Sequence, residues 1–176
     1  MTRLEEFIRD VPDFPKKGII FKDITPLLGD ADALRSAVRQ LARPFEGKGV
    51  QVVTGIESRG FIFGSLVAQK LKAGFVPIRK PGKLPAATIS ESYSLEYGTD
   101  TVQIHADAIR PGQKVLMIDD LLATGGTFLA ATKLVEKLGG IVAGIGCVIE
   151  LTGSLHGRDQ LKNYKVVSLV QIPVGE

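Results

Sequence analysis

The amino-acid sequence predicts an α/β fold, with a central, mostly parallel sheet flanked by helices. Three observations carry this expectation. Short apolar runs at residues 50–54, 75–78, 115–118, 141–149 and 166–170 read as buried strands. Segments with apolar residues at helical spacing alternate with them, and alternation of this kind packs helices on both faces of a parallel sheet. Turns rich in glycine and small residues follow the strands, where such sheets bind ligands. The chain has 176 residues, enough for one domain with a full core.

Taken in order, Thr2 and Glu5 form a capping-box pair that predicts a short helix through Arg9. Residues 11–29 contain Pro12, Pro15, Gly18, Pro26 and Gly29, which break any long element, yet they also carry Phe14, Ile19, Ile20, Phe21, Leu27 and Leu28. That mixture predicts an ordered cap. A helix follows from about Asp32, with Leu34, Ala37, Val38, Leu41 and Phe45 at helical spacing and Gly47 as its stop. After the first strand, the turn from Gly55 to Gly60 opens a helix over residues 61–71. Residues 79–87 are basic and contain Pro81, Gly82 and Pro85, so they read as a loop. Alternation at 93–97 and 101–105 predicts a hairpin around Gly98. The 115 strand leads to a helix carrying Phe128, Ala131, Leu134, Val135 and Leu138, ended by Gly139 and Gly140. Ser154 is a candidate cap for a short helix that includes Leu161.

Composition excludes several classes. Hydrophobic residues make up 44% and charged residues 23%, with a net charge of +3. No run of Lys and Arg is dense enough for a nucleic-acid surface, and a few extra cations suit anionic small molecules. The N-terminus carries acids and no long apolar core, and no stretch reads as a membrane span. Cys147 is the single cysteine, so no internal disulfide forms; it reads as core, and a reducing cytoplasm is the expected setting. His105 and His156 lack partners at metal-ligand spacing.

The most informative stretch is residues 115–127. Asp119 and Asp120 follow an apolar run, and Ala123, Thr124, Gly125, Gly126 and Thr127 lead into a helix. Backbone N–H groups of such a loop, with the helix dipole, favour a phosphate, and the acids can take sugar hydroxyls. A strand whose acids merely cap the next helix remains the plain alternative. No lysine precedes Thr127, so an NTP-type loop is a poor match. A turn such as Glu57, Ser58, Arg59, Gly60 suits a pyrophosphate equally well, through N–H groups and a bidentate cation.

At these residues the chain resembles the type I phosphoribosyltransferases, and within them the adenine-using branch. The segments PDFPKKGIIFKDITPLL, GIESRGFIFG, IRKPGKLP, SYSLEYG and DDLLATGGT occur in that branch's order. The resemblance covers nearly the whole chain from Pro12 onward. It implies a single domain over 1–176, with an N-terminal hood at about 1–31 and a mobile lid at about 80–98. It implies transfer of a phosphoribosyl group from 5-phosphoribosyl 1-pyrophosphate to adenine, giving AMP and pyrophosphate, as purine salvage. Mg²⁺ is the implied cofactor, held mainly by substrate and water near Asp119 and Asp120. Residues 123–127 would hold the 5′-phosphate, and the acid pair the ribose. Glu57, Ser58, Arg59, Gly60, Arg79 and Lys83 would hold pyrophosphate, with Arg79 reaching into a neighbouring subunit of a homodimer. The family often has a non-proline cis peptide in this turn, here between Glu57 and Ser58. Ile20, Phe21 and Lys22 would meet adenine, Glu96 would act as acid/base, and Tyr97 would help close the lid. Arg59 and Lys83 join Glu96 as the expected catalytic groups. Lysine at 22, where some members carry arginine, keeps the charge and loses bidentate geometry.

Overall fold

The structure is a computed structural model that describes residues 3–94 and 98–175. Its centre is a five-stranded sheet, parallel throughout: β3 (Val52–Ile56), β4 (Gly74–Ile78), β7 (Lys114–Leu122), β8 (Ile141–Gly153) and β9 (Val166–Val174), in the order β4-β3-β7-β8-β9. The α/β expectation therefore holds. From β3 the chain crosses outward to β4, and it later returns to the other side of β3 as β7. The connections thus diverge between β3 and β7, and such a reversal opens a crevice at the carboxyl ends of the two strands.

Period-two alternation along β7 divides the core. Leu116 and Ile118 face the layer built from α2 (Ala31–Ala42) and α3 (Gly60–Leu71), packed with Leu41, Phe63 and Val67. Val115 and Met117 face α4 (Gly126–Lys137), packed with Phe128 and Leu134. On that second face an antiparallel hairpin, β5 (Thr88–Ser94) with β6 (Thr99–His105), adds Val102 and Ile104 to the core. Cys147 is buried there, as expected, and burial pushes its thiol pKa far up, so it is no nucleophile.

Several boundaries differ from expectation. The segment expected to be helical through Arg9 forms only a 3-10 turn at Leu4–Phe7, followed by β1 (Arg9–Pro12), which pairs with β2 (Ile20–Asp23). Cross-strand pairs Arg9–Asp23 at 2.6 Å and Lys22–Asp10 at 2.7 Å favour the hairpin. Thr2, the expected cap, lies outside the described residues. The segment after β2 continues through α1 (Thr25–Gly29), with Leu27 fully buried, so the cap is ordered. Asp30 caps α2 by accepting from the Asp32 and Ala33 N–H groups. The α-helix ends at Ala42, ahead of Gly47, because Pro44 has no N–H to donate and a 3-10 turn takes over. β5 begins at Thr88, five residues before the expected strand. β8 and β9 run on to Gly153 and Val174, where each supplies the other's hydrogen bonds beyond the end of β7. Ser154 caps nothing: its hydroxyl donates to the Gly175 carbonyl, and a 3-10 turn runs over Gly157–Leu161. No described helix is long and apolar enough to cross a membrane.

Candidate active site

The crevice between β3 and β7 holds a pocket of about 280 Å³. The turn after β3 lines one wall with Glu57, Ser58 and Arg59; Asp119, Asp120 and Thr127 line the opposite wall. Lys80, Tyr93 and Val102 close a third side. A second cavity of about 190 Å³ adjoins it through Asp119 and Thr127, and is lined by Ala123, Thr124 and Gly125. Three turns separated by dozens of residues thus meet at one end of the sheet.

The acid pair lies inside β7 and not beyond it, because pairing with β8 continues through Asp119 opposite Cys147 to Leu122 opposite Glu150. Asp120 is buried and ion-paired with Arg59. The Asp120 backbone N–H donates to the Asp119 carboxylate at 2.8 Å. Burial and the adjacent Asp120 charge nonetheless hold the Asp119 pKa well above the usual carboxylate range. Close approach of the two walls requires glycine at position 60: a Cβ there would sit 2.8 Å from Asp119 Oδ1 and 3.0 Å from the Ile118 carbonyl. Gly125, with φ of 86°, turns the chain into α4, whose first turn supplies N–H groups beside Thr127.

The Glu57–Ser58 peptide bond is cis, as the resemblance implies. The Glu57 carboxylate takes Lys83 Nζ at 2.5 Å, the Lys80 backbone N–H at 2.9 Å and Arg79 Nε at 3.3 Å. Burial opposes ionisation, but these cations and the N–H keep its pKa below the ordinary value. One carboxylate therefore gathers the expected clamp of Arg79 and Lys83 beside the pocket. The Arg79 guanidinium also lies 5.8 Å from the Phe61 ring.

Two further side chains line the pocket: Lys80, one of the three cations of the basic loop, and Tyr93, to which sequence reasoning assigned no role. Lys80 pairs with Asp100, and its Nζ lies 3.2 Å from the Tyr93 hydroxyl. Burial works against its charge, yet these bonds hold its ammonium pKa above the ordinary value. Tyr93 donates to Asp100 at 3.0 Å and packs against Gly126. The alternation of TISESYS was the available signal, since it places Ile89, Glu91 and Tyr93 on one inward face.

In the N-terminal hairpin, Phe21 lies 5.3 Å from the Arg59 guanidinium and packs edge-on against Phe14. Ile20 is 56% exposed. Lys22 departs from its expected place. It points to the opposite side of β2, pairs with Asp10, and lines a separate cleft against Val170 and Pro173. Successive strand residues alternate faces, so Phe21 and Lys22 cannot both present side chains to one pocket. Glu96 and Tyr97 lie outside the described residues.

A phosphoribosyl transferase domain profile matches residues 23–174. The chain belongs to the phosphoribosyltransferase family. An adenine phosphoribosyltransferase of Clostridium perfringens is 57% identical over 171 residues, covering 97% of this chain and 99% of that protein. The crystal structure of an adenine phosphoribosyltransferase from Thermoanaerobacter pseudethanolicus superposes with a TM-score of 0.92 at 54% identity, over 96% of this chain and 99% of that one. The Saccharomyces cerevisiae adenine phosphoribosyltransferase, solved with an iminoaltritol bisphosphate and adenine, superposes with a TM-score of 0.88 at 36% identity, over 95% and 96% of the two chains. The parallel five-stranded sheet with helices on both faces is the type I phosphoribosyltransferase fold.

Proposed function

We infer that this phosphoribosyltransferase uses adenine, converting adenine and 5-phosphoribosyl 1-pyrophosphate to AMP and pyrophosphate. The observation that carries the reading is the single pocket lined by Arg59, by Asp119 and Asp120, and by Thr127 of the small-residue loop. A 5′-phosphate fits the backbone N–H groups of residues 123–127. Ribose hydroxyls fit Asp119 and Asp120, whose role is to hold and not to transfer protons. Pyrophosphate fits Arg59, Lys83 and Arg79, with Lys80 a further cation on the same wall. Phe21 offers a flat face to the purine; the Ile20 side chain takes the opposite face of β2, so Ile20 serves the purine through its backbone groups.

Bond breaking at the ribosyl carbon passes through an oxocarbenium-like state, as in other glycosyl transfers. The residues serve it in three ways. Cations neutralise the leaving pyrophosphate. Two separate anchors, on the 5′-phosphate and on the hydroxyls, align the anomeric carbon with adenine N9. The hood at about 1–31 and the lid at about 80–98 exclude water, which would otherwise capture the cation-like centre. Glu96 is the proposed acid/base for the purine, and Tyr97 completes the lid.

Mg²⁺ fits the donor set. Two adjacent carboxylates, one disfavoured in its charged form by burial and then by the other's charge, would be relieved by a divalent cation. No cluster of three His, Cys, Asp or Glu ligands exists among the described residues, so most ligands would come from substrate and water. When bound, the ion supplies charge neutralisation to the pyrophosphate. A cytoplasmic homodimer is part of the same proposal.

The test is direct. The protein is incubated with 5-phosphoribosyl 1-pyrophosphate, Mg²⁺ and each purine in turn, and nucleotide and pyrophosphate are measured. AMP from adenine is expected; turnover of hypoxanthine or guanine without adenine would overturn the choice of base.

A further inference from the structure

A buried carboxylate lies outside the chemistry above. Glu150, near the end of β8, is 4% exposed. Arg158 meets it with two nitrogens: Nε donates to Oε1 at 2.8 Å, and a terminal nitrogen pairs with Oε2. Ser168 donates to the same Oε2 at 2.6 Å and Gln171 at 3.2 Å, while Arg158 also donates to the Val166 carbonyl at 3.1 Å. The Arg158 hydrogen bonds, ahead of the Ser168 and Gln171 contacts, hold the Glu150 pKa down at about 2 despite its burial. The network ties the 3-10 turn Gly157–Leu161 to the frame of β8 and β9, and Leu161 plugs that turn into the core.

The other side of the turn rests on the loop at residues 123–127. Backbone packs on backbone: a Cβ at Gly157 would lie 2.1 Å from the Ala123 carbonyl, and one at Gly125 would lie 2.4 Å from the Gly157 carbonyl. Gln160 Nε2 donates to the Thr124 carbonyl at 2.9 Å. Thr124 is exposed on its outer side, so the loop's conformation is set largely from behind.

We propose that Glu150, Arg158 and Gln160 are positioning residues for the 5′-phosphate. The paired Glu150 and Arg158 lock the Gly157–Leu161 turn, and that turn presses the loop into the shape that aims its N–H groups at one phosphate. The proposal rests on the assignment of residues 123–127 as the phosphate site. None of the three touches substrate. Their contribution is preorganisation: an ordered loop spends less binding energy on its own immobilisation.

The experiment compares wild type with Arg158→Met, Arg158→Lys and Gln160→Leu. Ribose 5-phosphate binding is measured by calorimetry, KM for each substrate and kcat by steady-state assay, and folding by thermal unfolding. Arg158→Met weakens ribose 5-phosphate and raises KM for 5-phosphoribosyl 1-pyrophosphate by about tenfold, with KM for adenine and kcat within about twofold. Arg158→Lys recovers part of the loss, since it keeps the charge without the fork. Gln160→Leu, at an exposed position, gives the same split at about threefold. If Arg158→Met does not fold, Gln160→Leu decides. An unchanged KM for 5-phosphoribosyl 1-pyrophosphate in the folded variants, or an equal fall in every parameter, overturns the proposal alone. Failure of the wild type to bind ribose 5-phosphate overturns the phosphate-site assignment and the proposal together.

Discussion

The loop after β7 lines the pocket through Thr127, the N-terminal hairpin reaches toward it where Phe21 meets Arg59, and the two are built by different means. Around the loop, contact is backbone on backbone, with no room for a methyl group at Gly157 or Gly125. The hairpin is held by ion pairs, Arg9–Asp23 and Lys22–Asp10, and leaves Phe14 51% and Ile20 56% exposed. Each pair keeps one partner at the surface, where solvent screens it. Under the proposed function, the contrast separates two tasks. A phosphate is small, rigid and charged, and needs donors fixed to within a few tenths of an ångström. A flat purine needs only an apolar face that can close upon it.

Substitutions can break this comparison or sharpen it. The largest effect is expected at Arg59, which meets both Asp120 of β7 and Phe21 of the hairpin. Arg59→Ala should lower kcat by about 10³ with the fold intact, since a charge-stabilising donor is lost; near-normal turnover would remove Arg59 from the pyrophosphate site. Next comes Gly157→Ala. The forced shift at the Ala123 carbonyl should lower kcat/KM for 5-phosphoribosyl 1-pyrophosphate by about 10², leaving KM for adenine nearly unchanged. Phe21→Ala should show the mirror image: KM for adenine rises about tenfold and KM for the ribosyl donor stays put. Equal effects of Phe21→Ala on both substrates would mean that the halves are not separable. Lys22→Met should alter KM for adenine by less than about twofold, because its ammonium serves Asp10; a tenfold rise would return it to the base site.

The smallest effect at working pH appears only in acid. Glu150 has a folded pKa of about 2, lowered chiefly by Arg158, against about 4.3 for an unfolded glutamate. Its contribution is fully present above the unfolded value and is lost as pH falls toward 2, because the unfolded chain then binds the extra proton. Thermal unfolding from pH 6 to 2 should show Tm falling below pH 4.3, and Glu150→Gln should flatten that fall. Asp23, held at about 2 by the Thr25 N–H and Arg9, works in the same direction in the hairpin.

Legibility followed the same division. Residues 115–127 and the Arg59 turn stood out because tight backbone geometry leaves a mark on residue type: small residues where chains touch, acids and arginine where charge is met. The hairpin left a weaker mark. Exposed apolar residues in a proline-rich segment gave an ordered cap but no strands, and only resemblance placed Ile20 and Phe21 at a base. Tyr93 went unassigned for another reason. Its importance lies in facing the pocket, and a short alternating run looks the same whether it faces solvent or a ligand.

By itself the sequence determined the alternation of strands and helices, the sheet-end position of the turns, and the residue types that meet in the crevice between β3 and β7. These are local matters of spacing, residue size and charge. Tertiary structure decided the rest. It drew the acid pair into β7, since a strand ends where its neighbour stops offering hydrogen bonds. It turned Lys22 away from Phe21, since register along β2 settles which face each side chain takes. It set Arg158 on Glu150 behind the loop at residues 123–127, since a buried carboxylate persists only where the fold delivers it a partner.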